Sequence, residues 1–235
     1  MQSIKHNTLL WIAGLLTIAG LWQLGQGAYI HAKAQFAQHL MRKSWDKTLS
    51  GAKEVKPWPW ADTWPVARLQ VPRLGVDQFV LAGASGRTLA FGPGHLSGSP
   101  LPGDSGNTVL SGHRDTHFKF LQHLILGDAL VLTAPSGRQY RYEIADTTVV
   151  NYRDTRVTKS SDNRQLTLVT CYPFRSINPS GDKRYVVIAH YLPPRDSNQD
   201  LRKRMLAQGD CALKGIYCCY NTITLKAGHS QADPL

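Results

Sequence analysis

Residues 66–192 consist of short β-branched and apolar runs separated by clusters of Gly, Pro, Asn and Asp, and this pattern limits the possible folds most strongly. Such runs predict short strands, because β-branched side chains pack well on a pleated surface and the intervening residues favour turns. Many short strands with few helices predict a mostly β domain, either a barrel or a sandwich. We predict strands at Ala67–Val71, Val76–Val80, Thr108–Gly112, Ala129–Thr133, Gln139–Thr148, Gln165–Cys171 and Arg184–Ala189, and a short helix at His117–Leu126.

The segment 9–30, which precedes this domain, contains no charged side chain. A helix of that length can cross the hydrocarbon core of a membrane, and aromatic residues near both of its ends favour the headgroup region. We therefore predict a short cytoplasmic N-terminus at 1–8 and a transmembrane anchor at 9–30. A cleaved signal peptide is the alternative, because residues 32–34 match a small-x-small cleavage site.

Three further segments complete the predicted organisation. Residues 31–50 favour a helical stalk, because they include good helix formers and a sparse apolar stripe. Residues 51–65 are rich in Pro and Trp and predict a linker, because each proline removes a backbone donor and restrains its predecessor. The tail at 193–235 follows the strand-rich domain at 66–192 without a strand-like pattern, so we predict that it is poorly ordered.

The composition indicates one globular core, with 42% apolar and 18% charged residues. A formal net charge of +11 suits an anionic partner such as nucleic acid, a lipid surface or an acidic polymer. The chain lacks an RNA-reading aromatic signature, zinc-finger spacing and a long basic block, so nucleic acid is not a predicted partner.

Only one of the four cysteines, Cys171, lies among the predicted strands, while Cys211, Cys218 and Cys219 lie together in the C-terminal tail. A disulfide framework would have cysteines spread through the fold, so packing must hold this core together. Cys171 ends a predicted strand, with rigid backbone behind it and a loop ahead, which suits a nucleophile. A buried structural thiol is the alternative.

Two other reactive side chains are predicted at strand ends. His113 directly follows a strand and could act as base or cation for a thiol, although an isolated histidine there is also typical of an ordinary surface. Arg184 opens the strand after Cys171 and could donate hydrogen bonds to an oxyanion, whereas Lys183 would point to the opposite face. We therefore expect Cys171, His113 and Arg184 to meet at one rim of the fold.

A metal site is the competing hypothesis for the histidine-rich segment. His113 and His117, with Asp115 or Cys171, would supply suitable ligands if the segment were helical. The segment instead follows a strand directly, and no Glu follows the first histidine as the zinc-protease motif requires, so we predict no metal. Asp115 could orient a histidine or the substrate, but we predict that it caps the helix that follows it.

Three segments together resemble the sortase family, namely Ser111–Phe118 (SGHRDTHF), Thr167–Phe174 (TLVTCYPF) and Arg184 before an apolar strand. The resemblance covers residues 67–192, and the form of the first segment is similar to the proteobacterial class GN sortases. It implies a closed eight-stranded β-barrel with short helices, preceded by an N-terminal transmembrane helix. It also implies a cysteine transpeptidase or hydrolase.

The resemblance implies cleavage of a C-terminal sorting signal of a secreted protein and transfer of the acyl group to an amine of a cell-wall or surface component. Cys171 would form the thioester, His113 would exchange protons with both amines, and Arg184 would hold the carbonyl oxygen or the substrate backbone. Weaker candidates for orienting or binding substrate are Asp115, Thr170 and Tyr172. No cofactor is implied.

The resemblance further implies a single-pass protein of the inner membrane whose domain faces the periplasm, although the positive-inside rule alone would face it to the cytoplasm. Two other functions stay open from the residues. One is a non-catalytic barrel that binds a sorting peptide or cell-wall polymer. The other is an L,D-transpeptidase, which resembles a Ser-x-Gly-Cys pattern with a histidine near the cysteine, where this chain has Val169 and Thr170.

Overall fold

The computed structural model describes residues 2–159, 163–176 and 181–194, with side chains from Leu10 onwards. Helix α1 (Gln2–Leu49) comes first, and a one-turn helix α2 (Gly86–Leu89) lies within the domain that follows. The strands are β1 (Pro65–Val71), β2 (Val76–Ala82), β3 (Gly94–His95), β4 (Asn107–Ser111), β5 (Ala129–Thr133), β6 (Gln139–Asn151), β7 (Gln165–Tyr172) and β8 (Lys183–Leu192). Three 3₁₀ helices span Pro72–Leu74, Lys119–His123 and Thr155–Thr158.

The eight strands form a closed barrel in the order β1-β2-β3-β4-β7-β8-β6-β5. The pairs β2–β3 and β4–β7 are parallel, and the other pairs are antiparallel. Closure gives each of these strands two neighbours, which removes the exposed strand edges that promote aggregation. The predicted closed eight-stranded barrel is confirmed.

Alternate residues of the central strands fill the barrel. Leu166 and Leu168 of β7 and Val187 and Ala189 of β8 belong to one buried cluster. This period of two follows from strand geometry, which sends successive side chains to opposite faces. The odd-numbered residues of β7, which include Cys171, therefore lie on the outer face of the barrel.

The predicted anchor and stalk form one continuous helix, α1. Its last turns pack on the barrel, because Met41 and Trp45 are buried and the Trp45 ring lies 6.2 Å from that of Phe79. The Ser44 hydroxyl also donates to the carbonyl of Val55. Among the described residues, no helix is both long enough and apolar enough to cross a membrane. The predicted transmembrane helix is therefore not shown.

The connections differ from the sequence prediction in three places. The helix predicted at His117–Leu126 is a shorter 3₁₀ helix, whose N-cap is Phe118 without a side-chain cap, so the prediction that Asp115 caps it is wrong. Strand β3 and helix α2 were not predicted. The tail beyond Pro194, with Cys211, Cys218 and Cys219, lies outside the described residues.

Candidate active site

The parallel pairing of β4 and β7 brings His113 and Cys171 to the same rim. Ser111 pairs with Val169 in this ladder, and the N–H of Gly112 donates to the Val169 carbonyl at 3.2 Å. His113 and Cys171 each follow that pair by two residues. Because neighbouring strands lie about 4.8 Å apart, the two side chains start from adjacent positions.

Two contacts fix the backbone from which His113 projects. The buried Thr170 hydroxyl donates to the Gly112 carbonyl at 2.8 Å, which joins the end of β7 to the end of β4. A Cβ atom on Gly112 would lie 2.7 Å from the ring of the buried Phe118, so only glycine fits there without rearrangement. Thr170 was a weak candidate for binding substrate, and its hydroxyl already has a hydrogen-bond partner within the protein.

Arg184 lies directly opposite Cys171 in the antiparallel pair β7–β8. Opposite residues of such a pair share a face, with Cβ atoms about 4.5–5.5 Å apart. Lys183 is instead opposite Tyr172 and belongs to the other face. The register therefore places Arg184, and not Lys183, beside the thiol.

Backbone carbonyls and an aromatic ring surround the Arg184 guanidinium. Its Nη1 atom donates to the carbonyls of Gly181 at 2.8 Å and Lys183 at 2.9 Å. The guanidinium carbon lies 5.8 Å from the centre of the Tyr152 ring. This separation is within the range of a cation–π interaction. These contacts hold the side chain near the start of β8, next to the nucleophile candidate.

Cys171 is a half-buried free thiol on the outer barrel face that it shares with Thr167 and Val169. The connection between β6 and β7 covers the far end of this face, where the Asn107 amide donates to the carbonyls of Val157 and Lys159, both at 3.1 Å. The thiol lies at the opposite end, where β7 ends.

The other predicted substrate-binding residues have partners within the protein. Tyr172 stacks on Tyr185 with ring centres 6.3 Å apart and meets Phe174 edge to face. Asp115 receives two hydrogen bonds from Arg114, at 2.9 and 2.8 Å, and these bonds hold the pKa of the Asp115 carboxyl below its usual value. Arg114 did not figure in the sequence prediction, because a charged residue in a loop is normally solvated.

The hypothesis of a metal site requires a cluster of metal-ligating side chains. Over residues 10–159, 163–176 and 181–194, no group of three or more His, Cys, Asp or Glu side chains is arranged to hold a metal ion. His117 is half-buried, and its ring lies near the Ala90 backbone. Burial lowers the pKa of His117, and the Ala90 contact opposes this effect.

Comparisons with known proteins identify the family of this chain. A sortase domain family model matches residues 69–192. Sortase D of Bacillus subtilis (strain 168) is 36% identical over 120 residues, which cover 51% of this chain and 60% of that protein. A sortase D5 transpeptidase of Clostridium perfringens is 26% identical with a TM-score of 0.51, over 65% of this chain and 89% of that one. Sortase C-1 from Actinomyces oris is 34% identical with a TM-score of 0.50, over 55% and 73% respectively. This chain belongs to the sortase family, whose members are cysteine transpeptidases.

Proposed function

We propose that this chain cleaves a C-terminal sorting signal of a secreted protein through a thioester on Cys171 and transfers the acyl group to an amine. The observation that supports this most strongly is the register of β7, in which Arg184 pairs with Cys171, and Ser111, two residues before His113, pairs with Val169. Acyl transfer needs a nucleophile, a proton carrier and an oxyanion donor at one place, and these three side chains supply them.

In the first half of the proposed reaction, the Cys171 thiolate attacks the carbonyl carbon of the scissile peptide bond. The carbonyl oxygen becomes an oxyanion, which the Arg184 guanidinium stabilises by donating hydrogen bonds. Nη1 of Arg184 already binds two backbone carbonyls, so we assign Nε and Nη2 to the oxyanion. The C–N bond breaks when protonated His113 gives its proton to the leaving amine, and the thioester remains.

In the second half, an acceptor amine attacks the thioester carbon while neutral His113 removes its proton. The oxyanion forms again beside Arg184 and collapses, the C–S bond breaks, and the Cys171 thiolate is restored. His113 is again protonated, so the pair of groups returns to its starting state. Water in place of the amine would give hydrolysis by the same steps.

The direct test uses the full-length chain in detergent with peptides that carry candidate sorting signals and with a primary amine. We expect cleavage and amine-coupled product, both abolished by Cys171→Ala and strongly reduced by His113→Ala. Arg184→Ala should lower kcat/KM by about 10²–10³-fold, the usual cost of losing an oxyanion donor. Lys183→Ala is the matched control on the opposite face and should retain activity.

Two results would count against the proposal. Turnover that survives Cys171→Ala would exclude the thioester. Peptide binding without cleavage by the wild-type chain, unchanged in Cys171→Ala, would instead support the non-catalytic barrel.

We further propose that residues 9–30 attach the enzyme to the inner membrane with the barrel in the periplasm. The support is the uncharged sequence of this segment and the exposure of its large apolar side chains, such as Leu15 and Trp22. The full-length chain should sediment with membranes and be released by detergent but not by high salt. Recovery in the soluble fraction would contradict the attachment.

A further inference from the structure

Arg114 is a buried cation beside the proposed active site. Its side chain is only 5% exposed. Burial of a guanidinium is unfavourable unless its donors are paired, so the position of Arg114 requires specific partners. The residue directly follows His113 in the sequence, which makes those partners relevant to the reaction.

The partners of Arg114 lie on two sides. On one side Nε and Nη2 bind the two carboxylate oxygens of Asp115, at 2.9 and 2.8 Å. On the other side Nη1 donates to the Pro173 carbonyl at 2.8 Å, and Nη2 donates to the Ser176 carbonyl at 3.0 Å. Arg114 thus ties the segment that carries His113 to the loop that follows Cys171.

The contacts of Arg114 with residues 173–176 also affect the position of the Cys171 thiol. Pro173 is two residues after Cys171, so a shift of residues 173–176 would move the end of β7 on which the thiol stands. The planar fork of arginine matches two separate acceptors at fixed angles, which a flexible lysine ammonium does not reproduce.

The guanidinium also lies near Cys171, because its Nη1 atom donates at 2.8 Å to the carbonyl of Pro173, two residues after the thiol. The pKa of Arg114 is raised above its ordinary value, first by the hydrogen bonds to Asp115, against the opposing effect of burial, and then by the charges of Asp115 and the Cys171 thiolate. A nearby cation that favours a thiolate makes that thiol more reactive at neutral pH.

We propose that Arg114 is a positioning residue, which holds residues 173–176 so that Cys171 and His113 stay aligned and places a fixed positive charge beside the thiolate. This inference rests on the proposed function, because it assumes that the Cys171 thiolate is the nucleophile. The alternative is an arginine that only stabilises the fold.

The chain contains a suitable control for that alternative. Arg73 binds both carboxylate oxygens of Asp128, at 2.5 and 2.6 Å, and donates to the His123 carbonyl at 2.6 Å. It therefore binds a carboxylate and a backbone carbonyl in the same way, but this carbonyl ends the 3₁₀ helix Lys119–His123 and does not follow Cys171, and the Arg73 side chain is more exposed, at 44%. Arg73→Gln reports what the loss of such a fork does to stability alone.

The experiment compares the full-length wild type with Arg114→Gln, Arg114→Lys and Arg73→Gln. The first readout is the rate at which iodoacetamide alkylates Cys171 as a function of pH, followed by peptide mass spectrometry to separate Cys171 from the other cysteines. The second readout is kcat and KM for peptide cleavage. Thermal denaturation shows how far each variant is destabilised.

We expect Arg114→Gln to alkylate about tenfold more slowly at neutral pH, with its profile moved to higher pH, because the charge beside the thiolate is lost. Arg114→Lys should restore the alkylation profile but keep a low kcat, because the charge returns without the fork. Arg73→Gln should lower Tm without changing the alkylation profile or kcat.

Three results would overturn the inference. One is an Arg114→Gln variant that behaves like Arg73→Gln, with only a lower Tm. The other two use Arg114→Lys, which also serves if Arg114→Gln does not fold. A wild-type kcat in Arg114→Lys would overturn the positioning role. An alkylation profile of Arg114→Lys shifted to higher pH would overturn the charge role. Because alkylation needs no substrate, the alkylation outcomes stay separate from any failure of peptide turnover, whereas the kcat outcome is read once the wild type is shown to cleave the peptide.

Discussion

The hydrogen bond from Thr170 to Gly112 offers a quantitative test of how the rim is held together. Thr170 is 2% exposed, and its hydroxyl donates to the Gly112 carbonyl at 2.8 Å, one residue before His113. In Thr170→Val the side chain keeps its shape but the buried carbonyl loses this donor. Such a loss costs about 1–3 kcal/mol. The expected fall in Tm is about 2–4 °C for each kcal/mol in a chain of this size.

The same change should affect catalysis more than stability. Without the bond, the Gly112 N–H still binds the Val169 carbonyl, but Gly112 and His113 are held less firmly against β7. A displacement of about 1 Å can cost about 10²-fold in rate. We therefore expect kcat for peptide cleavage to fall by at least about tenfold under conditions where the variant is fully folded. Circular dichroism gives Tm, and steady-state kinetics gives kcat.

Thr167→Val is the matched control. Thr167 is also fully buried on β7, and its hydroxyl donates to the Asn107 side chain at 2.7 Å, near the other end of the strand pair. It should lose comparable stability but retain kcat. Equal kcat in both variants would refute the claim that the Thr170 contact positions His113.

Three further predictions concern Gly112, Gly181 and His117. Gly112→Ala should lower both Tm and kcat, because the added Cβ would lie 2.7 Å from the buried Phe118 ring. Overpacking of this kind costs about 1–3 kcal/mol, and wild-type values of both quantities would contradict the close contact. Gly181→Ala should lower kcat/KM, because its Cβ would lie 2.5 Å from the Tyr172 carbonyl oxygen and displace the Gly181 carbonyl, which accepts a hydrogen bond from Arg184. A normal kcat/KM would show that this hydrogen bond is dispensable. Burial lowers the pKa of His117 below 6.5. As pH falls, the His117 imidazole is therefore protonated first in the unfolded chain. The free energy of unfolding is higher above about pH 6.5, and this contribution is lost as pH falls below that value. Urea denaturation between about pH 5 and pH 8 should show a weaker pH dependence in His117→Gln than in the wild type, and an identical dependence would contradict this role.

Strand periodicity predicted much of the barrel and of the candidate site. The apolar run predicted a strand at Gln165–Cys171, which is β7, and the period of two along a strand put Arg184 rather than Lys183 on the face of Cys171, where the structure places it. These inferences succeed because a period of two depends on local geometry alone.

Contacts between distant segments could not be predicted in this way. Strand β3 has only two residues, so it carries no periodic signal, and its position depends on pairing with β2 and β4. Trp45 is buried because the end of α1 packs on the barrel, which a sparse apolar stripe did not indicate. Arg114 is buried because its partners include the Pro173 and Ser176 carbonyls, which are far away in the sequence.

The central claim is that Cys171 becomes acylated during the reaction. The most direct measurement is mass spectrometry of the full-length chain after brief incubation with a cleavable sorting peptide. We predict an added mass equal to the N-terminal part of the peptide, mapped to Cys171, released by hydroxylamine and absent in Cys171→Ala. Peptide turnover by the folded chain without an adduct on Cys171, or with the adduct on another cysteine, would contradict the account.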